Sequence, residues 1–516
     1  MTPTNPVESY ARRVLLWLEG NLNKVFGNDL NPFYHLGALG FYFFWLVVVS
    51  GAYIYAFYRT GMALSYPSVE YLTHEQWYLG GIMRSLHRYA ADALVLVMAL
   101  HLLREFILGR YRGARWFSWI TGVLLIWLIY ASGINGYWMV WDKLAQYSIV
   151  ATMAWLDWLP IFGAPMSGYF VSQQGLNDRF FSLISFAHVT VPLIILFFLW
   201  VHIMRISNPV VNPRRGLALG MLVALLVLAL VKPVLSQGPV DMGIEPRNIN
   251  IDWFYLFINP LVDVWSTGQV WALVIGFSLL LGVLPWLPAR FKQIPIAEVN
   301  LSDCSGCRLC VADCPYEAVV MRPRSDGMHF FQEAVVVPDR CVSCGICVGA
   351  CPSSNAFRND AGYVSGIEMP SLPISGLRTS MMNDMAKLEG DVRIMVFGCD
   401  NAANIEKLRS ESVAVLSLPC IAMLPPSFIE YALREHHVDG VLITGCREND
   451  CYHRLGVLWT ERRLSAEREP RLRSRAKRER IRQFWASSAD FRELASELES
   501  FRSSLRSQTE SENISK

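Results

Sequence analysis

Hydrophobic residues concentrate in six long, mostly apolar runs within the first 290 positions. These are Leu36–Tyr58, Leu79–Ile107, Trp116–Trp141, Phe180–Met204, about Gly216–Leu235 and about Trp265–Ala289. A helix needs roughly 20 such residues to cross a hydrocarbon core of about 30 Å, so an all-α transmembrane bundle of about six helices is expected. The fifth run is the least regular, interrupted by Lys232 and Pro233. Basic residues cluster between the runs: Arg12, Arg13 and Lys24, then Arg110, Arg112 and Arg115, then Arg205, Arg214 and Arg215, and finally the Arg290–Lys292 exit. The positive-inside rule assigns all four segments to the cytoplasmic side. An even number of crossings then leaves everything after residue 290 in the cytoplasm. Later the pattern shortens. Val392–Phe397, Val413–Leu418 and Gly440–Thr444 are β-branched runs with helical segments between them, the signature of a small parallel α/β fold. From Glu461 onward the composition is helical, with ten Lys or Arg between Arg462 and Arg482. Such a run serves either as a solvated face or as a contact for anionic headgroups or a partner.

Composition agrees with a membrane protein carrying soluble domains. The chain has 516 residues, too many for one core, and is 53% hydrophobic with only 17% charged residues and 17 Trp. Its formal net charge of +2 gives no reason to expect a nucleic-acid partner. All twelve cysteines lie beyond residue 303, outside the apolar part, which argues for metal centres in a soluble module rather than a secreted disulfide framework. The first thirty residues lack the basic start, apolar core and small-residue cleavage site of a signal peptide, so insertion through the first membrane helix is expected. The bacterial inner membrane is the expected location.

Two of the apolar runs carry paired histidines. His87 and His101 are fourteen positions apart, and so are His188 and His202. That spacing puts two imidazoles on one helix face, about 21 Å apart along the axis. Both helices run from outside to inside in the topology above, so His87 pairs with His188 near the outer surface and His101 with His202 near the inner one. A single buried histidine is ordinarily a hydrogen-bonded core residue. Four at matched spacing argue against that, because ionisable groups within a membrane are costly and functional. Two imidazoles facing each other across a plane are the axial set of a haem iron.

These residues resemble cytochrome b of the quinol-oxidising bc-type complexes. Gly37 and Gly51, and Gly122 and Gly136, again fourteen apart, resemble glycines that let the haem rings lie against the backbone; helix packing is the plainer explanation of each alone. The resemblance makes Arg84 and Arg104 haem-propionate arginines, and it extends to Pro192 and the Leu159–Gly163 loop. It implies two haem b, a quinone substrate and a homodimer. Ile251-Asp252-Trp253-Phe254 resembles the family's Pro-Glu-Trp-Tyr segment at the outer quinol site, with Asp for Glu and Ile for Pro. Asp252 is then either a proton acceptor for quinol or a solvated loop residue. Gly136-Tyr137-Trp138-Met139-Val140-Trp141 departs from the family by lacking its proline. Arg88 and Asp92 are spaced to pair on one helix.

Two cysteine motifs follow. Cys304, Cys307, Cys310 and Cys314 precede Pro315, and Cys341, Cys344, Cys347 and Cys351 precede Pro352. This is the spacing of bacterial two-cluster ferredoxins, in which the distant fourth cysteine serves the other cluster. The resemblance implies one [4Fe–4S] on Cys304, Cys307, Cys310 and Cys351 and another on Cys341, Cys344, Cys347 and Cys314. Zinc is the alternative, weakened by the double run. After a loop-rich linker of about forty residues, Cys399, Cys420 and Cys446 each come just past a predicted strand, and Cys451 follows five residues later. The ends of parallel strands share one edge, so the thiols should converge on [2Fe–2S] or zinc. Phe397-Gly398-Cys399, Leu418-Pro419-Cys420 and Thr444-Gly445-Cys446, with Cys451-Tyr452-His453 and Glu461-Arg462-Arg463, resemble the delta subunit of methyl-viologen-reducing hydrogenases. That family binds [2Fe–2S] and passes electrons to a heterodisulfide-reductase flavoprotein. Asp400-Asn401-Ala402 replaces its extra cysteine, leaving four ligands and favouring [2Fe–2S].

The expected organisation is a cytochrome b-like membrane domain (1–290), a 2[4Fe–4S] ferredoxin-like domain (291–360), a small α/β iron–sulfur domain (390–465) and a basic helical tail (466–516). The expected function is electron transfer between the quinone pool and a cytoplasmic flavoprotein or other redox subunit. The rivals are an electron-transfer or assembly subunit with no quinone site of its own, and a zinc-stabilised membrane scaffold.

Overall fold

A computed structural model describes residues 6–160, 165, 167–168, 176–204, 209–246, 248–287, 295–358, 363–434, 438–474 and 476–514. Ile161–Gly163 of the predicted loop, Arg205 and the Arg290–Lys292 exit lie outside the described residues. The chain forms two compact units. One comprises Asp29–Arg205 and Val210–Ala289; the other comprises Met1–Asn28, Ile206–Pro209 and Arg290–Lys516.

The second unit includes helix α1 (Pro6–Phe26), which charge pattern alone had marked only as a basic segment. Its Leu15 and Glu19 are buried, Arg12 donates to Ser488 Oγ at 3.3 Å, and Asn23 donates to Asp490 at 3.3 Å. The first unit is helical. All six apolar runs form helices: α2 (Leu36–Phe57), α3 (Ile82–Ile107), α4 (Trp116–Val140), α6 (Asp178–Ile203), α7 (Arg215–Val231) and α8 (Thr267–Val283). Among the described residues, four stretches are long and apolar enough to cross a membrane: Pro32–Phe57, Trp116–Val140, Asp178–Ile203 and Thr267–Trp286. Helix α3 has the length, at 26 residues, but carries Arg84, Arg88, Asp92, Arg104 and Glu105. Helix α7 stops at Val231, before the Lys232-Pro233 pair, because proline disfavours a helical residue ahead of it.

The sequence pattern missed α5 (Lys143–Leu156), whose start is fixed by Asp142 accepting from Ala145 N at 3.0 Å. Asn177 caps α6 in the same way, and a Ser266–Gln269 capping box opens α8. Helix α2 lies along α3 and α4 along α6, enclosing a core that includes Leu39, Phe43, Leu94, Ile129 and Ile195.

In the second unit, β2 (Val319–Pro323) and β3 (Gln332–Val336) form an antiparallel hairpin, and β1 (Glu298–Val299) pairs antiparallel with β4 (Ile367–Glu368). Short helices α9 (Leu309–Asp313) and α10 (Ile346–Ala350) each carry the third cysteine of a motif. The expected loop-rich linker contains a helix, α11 (Ile374–Met385), that buries Ile374, Leu377, Met381 and Met385. Beyond it lies a four-stranded, all-parallel sheet ordered β6 (Val413–Leu418), β5 (Ile394–Cys399), β7 (Gly440–Gly445), β8 (Ile481–Trp485). Helices α12 (Pro426–Arg434) and α13 (Gly456–Leu464) connect within it. The segment expected as a helical tail is part of this fold, so the boundary at 465 does not hold. It supplies β8, and α14 (Phe491–Ile514) lays Leu494, Leu498, Phe501 and Leu505 on Ile394, Val396, Val413 and Val415. The 3.6-residue periodicity of α14 buries an apolar stripe despite the basic stretch before it.

Candidate metal centres

The rings of His87 on α3 and His188 on α6 stand 6.3 Å apart, centroid to centroid. Two metal–nitrogen bonds of about 2 Å, with the rings' own radii added, give about 6 Å, so this gap accommodates one metal between the imidazoles. Hydrogen bonds orient both rings. His87 Nδ1 donates to Val47 O at 2.9 Å and lies 3.2 Å from Ser50 Oγ; His188 Nδ1 donates to Ser132 O at 2.9 Å. With Nδ1 engaged as donor, Nε2 keeps its lone pair for a metal. At the other ends of the same helices, His101 and His202 lie within electrostatic reach of each other. His202 Nδ1 is 3.0 Å from Thr121 Oγ1, whose proton goes to Phe117 O, so the hydroxyl accepts from the ring.

The four glycines face the four histidines. A Cβ on Gly51 or Gly136 would lie 2.9 Å from Cε1 of His87 or His188; on Gly122 it would lie 3.2 Å from His202, and on Gly37 3.7 Å from His101. Their nearest neighbours are thus the imidazoles themselves. Sequence reasoning missed Ser50 and Thr121, although each directly precedes one of these glycines and that repeated hydroxyl–glycine pair was a usable signal.

Arg84 and Arg104 are buried near the two ends of α3. Arg84 donates to Thr73 and, at 2.8 Å, to Ser236, and lies 3.6 Å from Glu70. The guanidinium of Arg104 lies 5.6 Å from the Tyr34 ring centre and 3.8 Å from Glu105. Asp252 is not the solvated loop residue that was one of its two readings. It is 8% exposed, pairs with Arg88 at 2.7 Å, and accepts from Tyr137 OH and, at 2.8 Å, from Phe254 N. Arg88 also pairs with Asp92, as their spacing suggested, so one guanidinium bridges two carboxylates.

The eight ferredoxin-motif cysteines separate into two groups. Cys304, Cys307, Cys310 and Cys351 line a cavity of about 330 Å³. Cys314, Cys341, Cys344 and Cys347 line a smaller one beneath Tyr316 and Ile346. Burial, with the neighbouring thiols, pushes both Cys310 and Cys344 up to about 12. Thiols so placed ionise only with a cation among them, which is the condition that a metal cluster supplies.

The parallel sheet gathers the remaining four. Cys399 Sγ is 3.8 Å from Cys446 Sγ, Cys446 is hydrogen-bonded with Cys451, and Cys420 and Cys451 both abut Gly456, where a Cβ would meet their sulfurs at 2.5 and 3.5 Å. All four are buried, and burial pushes Cys420 well up. No sequence motif pointed to Asp313. It is fully buried between Cys310 and Cys314 and is paired with Arg463 and Arg468 from the third module.

Comparison with known proteins matches this layout. Residues 22–209 fit the family model Cytochrome b/b6/petB, residues 303–355 a 4Fe-4S dicluster domain, and residues 394–507 the delta subunit of methyl-viologen-reducing hydrogenase. Cytochrome b6 of Pyropia yezoensis is 32% identical over 183 residues, which are 35% of this chain and 83% of that protein. The chain belongs to the cytochrome b family. Cytochrome b6 of Porphyra purpurea matches to the same extent, and that of Mesostigma viride is 31% identical over 184 residues. A solved hyperthermophilic respiratory Complex III aligns with 49% of this chain and 75% of its own, at 20% identity and a TM-score of 0.42. The cytochrome b match ends before α7, and the dicluster and delta-subunit modules extend this member of the family. It is an integral membrane electron-transfer protein.

Proposed function

We propose that this cytochrome b carries electrons between a quinone in the bilayer and a soluble redox partner, a flavin dehydrogenase or heterodisulfide-reductase-type flavoprotein. The observation that carries the reading is the His87–His188 pair, 6.3 Å apart with both Nδ1 atoms tied to backbone carbonyls. His87 and His188 would hold one haem b, and His101 and His202 a second, with Arg84 and Arg104 as propionate anchors. Bound there, haem supplies one-electron oxidation and reduction inside the membrane. The two cavity-lining groups of cysteines would hold two [4Fe–4S] clusters, and Cys399, Cys420, Cys446 and Cys451 a [2Fe–2S], with zinc as the alternative. The basic loops support six crossings of a bacterial inner membrane with the iron–sulfur modules in the cytoplasm.

Asp252 would receive the proton of a quinol at the outer side. Its engagement by Arg88 and Tyr137 favours the second reading, an electron-transfer subunit whose quinone chemistry belongs to a partner chain. Adding quinol to the purified full chain distinguishes them. Reduction of a b-type absorbance supports a resident quinone site, and an unchanged spectrum in a haem-loaded protein supports the subunit. A preparation without any b-type band would sink both.

A further inference from the structure

The two ferredoxin-motif groups are not equivalent with respect to the third centre. Cys344, of the second group, and Cys420, of the third, share one buried apolar cluster with Ile346, Ala422, Leu455 and Trp459. The contact is unusually close. A Cβ on Gly349 would lie 2.0 Å from Ala422 O, and one on Gly345 would lie 2.4 Å from Met423 Sδ. The corresponding positions of the first motif are Ala312 and Arg308, counting from Cys304 as Gly349 and Gly345 count from Cys341. Only the second motif therefore lacks the side chains that would keep the 421–423 turn away. A buried clamp reinforces the contact beside Cys314, which belongs to the same group. Asp313 pairs with Arg463 and Arg468, Arg463 also donates to Ala422 O at 2.7 Å, and Trp459 Nε1 donates to Asp313 O at 3.1 Å. At the other end, Cys307 of the first group is the one exposed cysteine of the twelve.

We propose that the centre on Cys399, Cys420, Cys446 and Cys451 exchanges electrons with the ferredoxin pair through the Cys314–Cys341–Cys344–Cys347 cubane, and that Gly349 is the positioning residue that admits the contact. The order of centres is then third centre, second cubane, first cubane, with Cys307 marking the outer end. Each step moves one electron: the donor centre is oxidised by one, the acceptor is reduced by one, and no bond or proton changes at the protein. The inference rests on the cluster assignments proposed above.

Electron paramagnetic resonance of the purified full chain, reduced stepwise with dithionite, tests it. The third-centre signal is expected to broaden or split when the second cubane becomes paramagnetic. That interaction should persist in Cys307→Ser, which perturbs the first cubane, and vanish in Cys344→Ser. Gly349→Val should weaken it while leaving all three signals present. A third-centre signal that stays sharp in the fully loaded wild type, or an interaction that survives Cys344→Ser and disappears in Cys307→Ser, overturns the order. A redox-silent third site overturns the underlying [2Fe–2S] reading as well, and metal analysis identifies that case by its zinc.

Discussion

Of the four histidine-facing glycines, Gly51 and Gly136 are those at which one added carbon meets the least room, since each faces the edge of an outer-pair histidine at 2.9 Å. Gly51→Val and Gly136→Val should therefore abolish the outer haem while leaving the inner one, read as loss of about half of the b-type absorbance. Gly37→Ala, with 3.7 Å available, should retain both haems. The Arg88–Asp252 pair makes a separate prediction. Removing Arg88 takes the shared cation from both Asp252 and Asp92, at a cost of about 3–5 kcal/mol, whereas removing Asp252 costs less because Arg88 keeps Asp92. Asp252→Leu or Arg88→Leu alone should lower the thermal midpoint of the purified protein, and the double variant should recover part of the Arg88→Leu loss. Equal midpoints for Arg88→Leu and the double variant would contradict the pairing. Asp252 also shows the limit of sequence at this scale: its one-dimensional setting allowed either burial or solvation, and only the approach of α3 and Tyr137 from distant positions settled which.

Elements bear out most of the hydrophobic pattern and fail where tertiary contact decides. The six apolar runs are helices within a few residues of their expected ends, because their length and composition leave few alternatives. The stretch after residue 465 was misread, since charge density outweighed the short Ile481–Trp485 run that completes the sheet beside β7. A chain truncated after Leu464 should consequently lose the soluble fold of its third module. It would strip β7 of its edge partner and remove Leu494, Leu498, Phe501 and Leu505, each worth about 1.5–3 kcal/mol of burial. Limited proteolysis checks this: the shortened module should be digested rapidly, whereas a chain ending at Ser507 should resist. Helix α1 was equally invisible as a structural element, because its partners Ser488 and Asp490 lie more than 460 residues away.

For the whole molecule, the proposed complement of cofactors sets a composition: two haems with about ten non-haem irons in three clusters. Iron, sulfide and pyridine haemochrome assays on anaerobically purified protein measure it. Zinc together with about eight non-haem irons would indicate zinc in the third centre. Asp313→Asn should lower cluster retention while leaving haem content unchanged, because the clamp on Arg463 and Arg468 lies entirely within the iron–sulfur unit. The sequence by itself determined the membrane class, the histidine pairs and the three families, since each depends on local spacing: fourteen residues along a helix, two or three between cysteines, or a strand followed by a thiol. Tertiary structure decided what spacing does not encode. It chose which thiols line a common cavity, which guanidinium satisfies Asp252 and Asp313, and which ferredoxin motif meets the third centre. Those choices depend on segments far apart in the chain that must share one close-packed interior, where an uncompensated charge or an extra methyl group has no room.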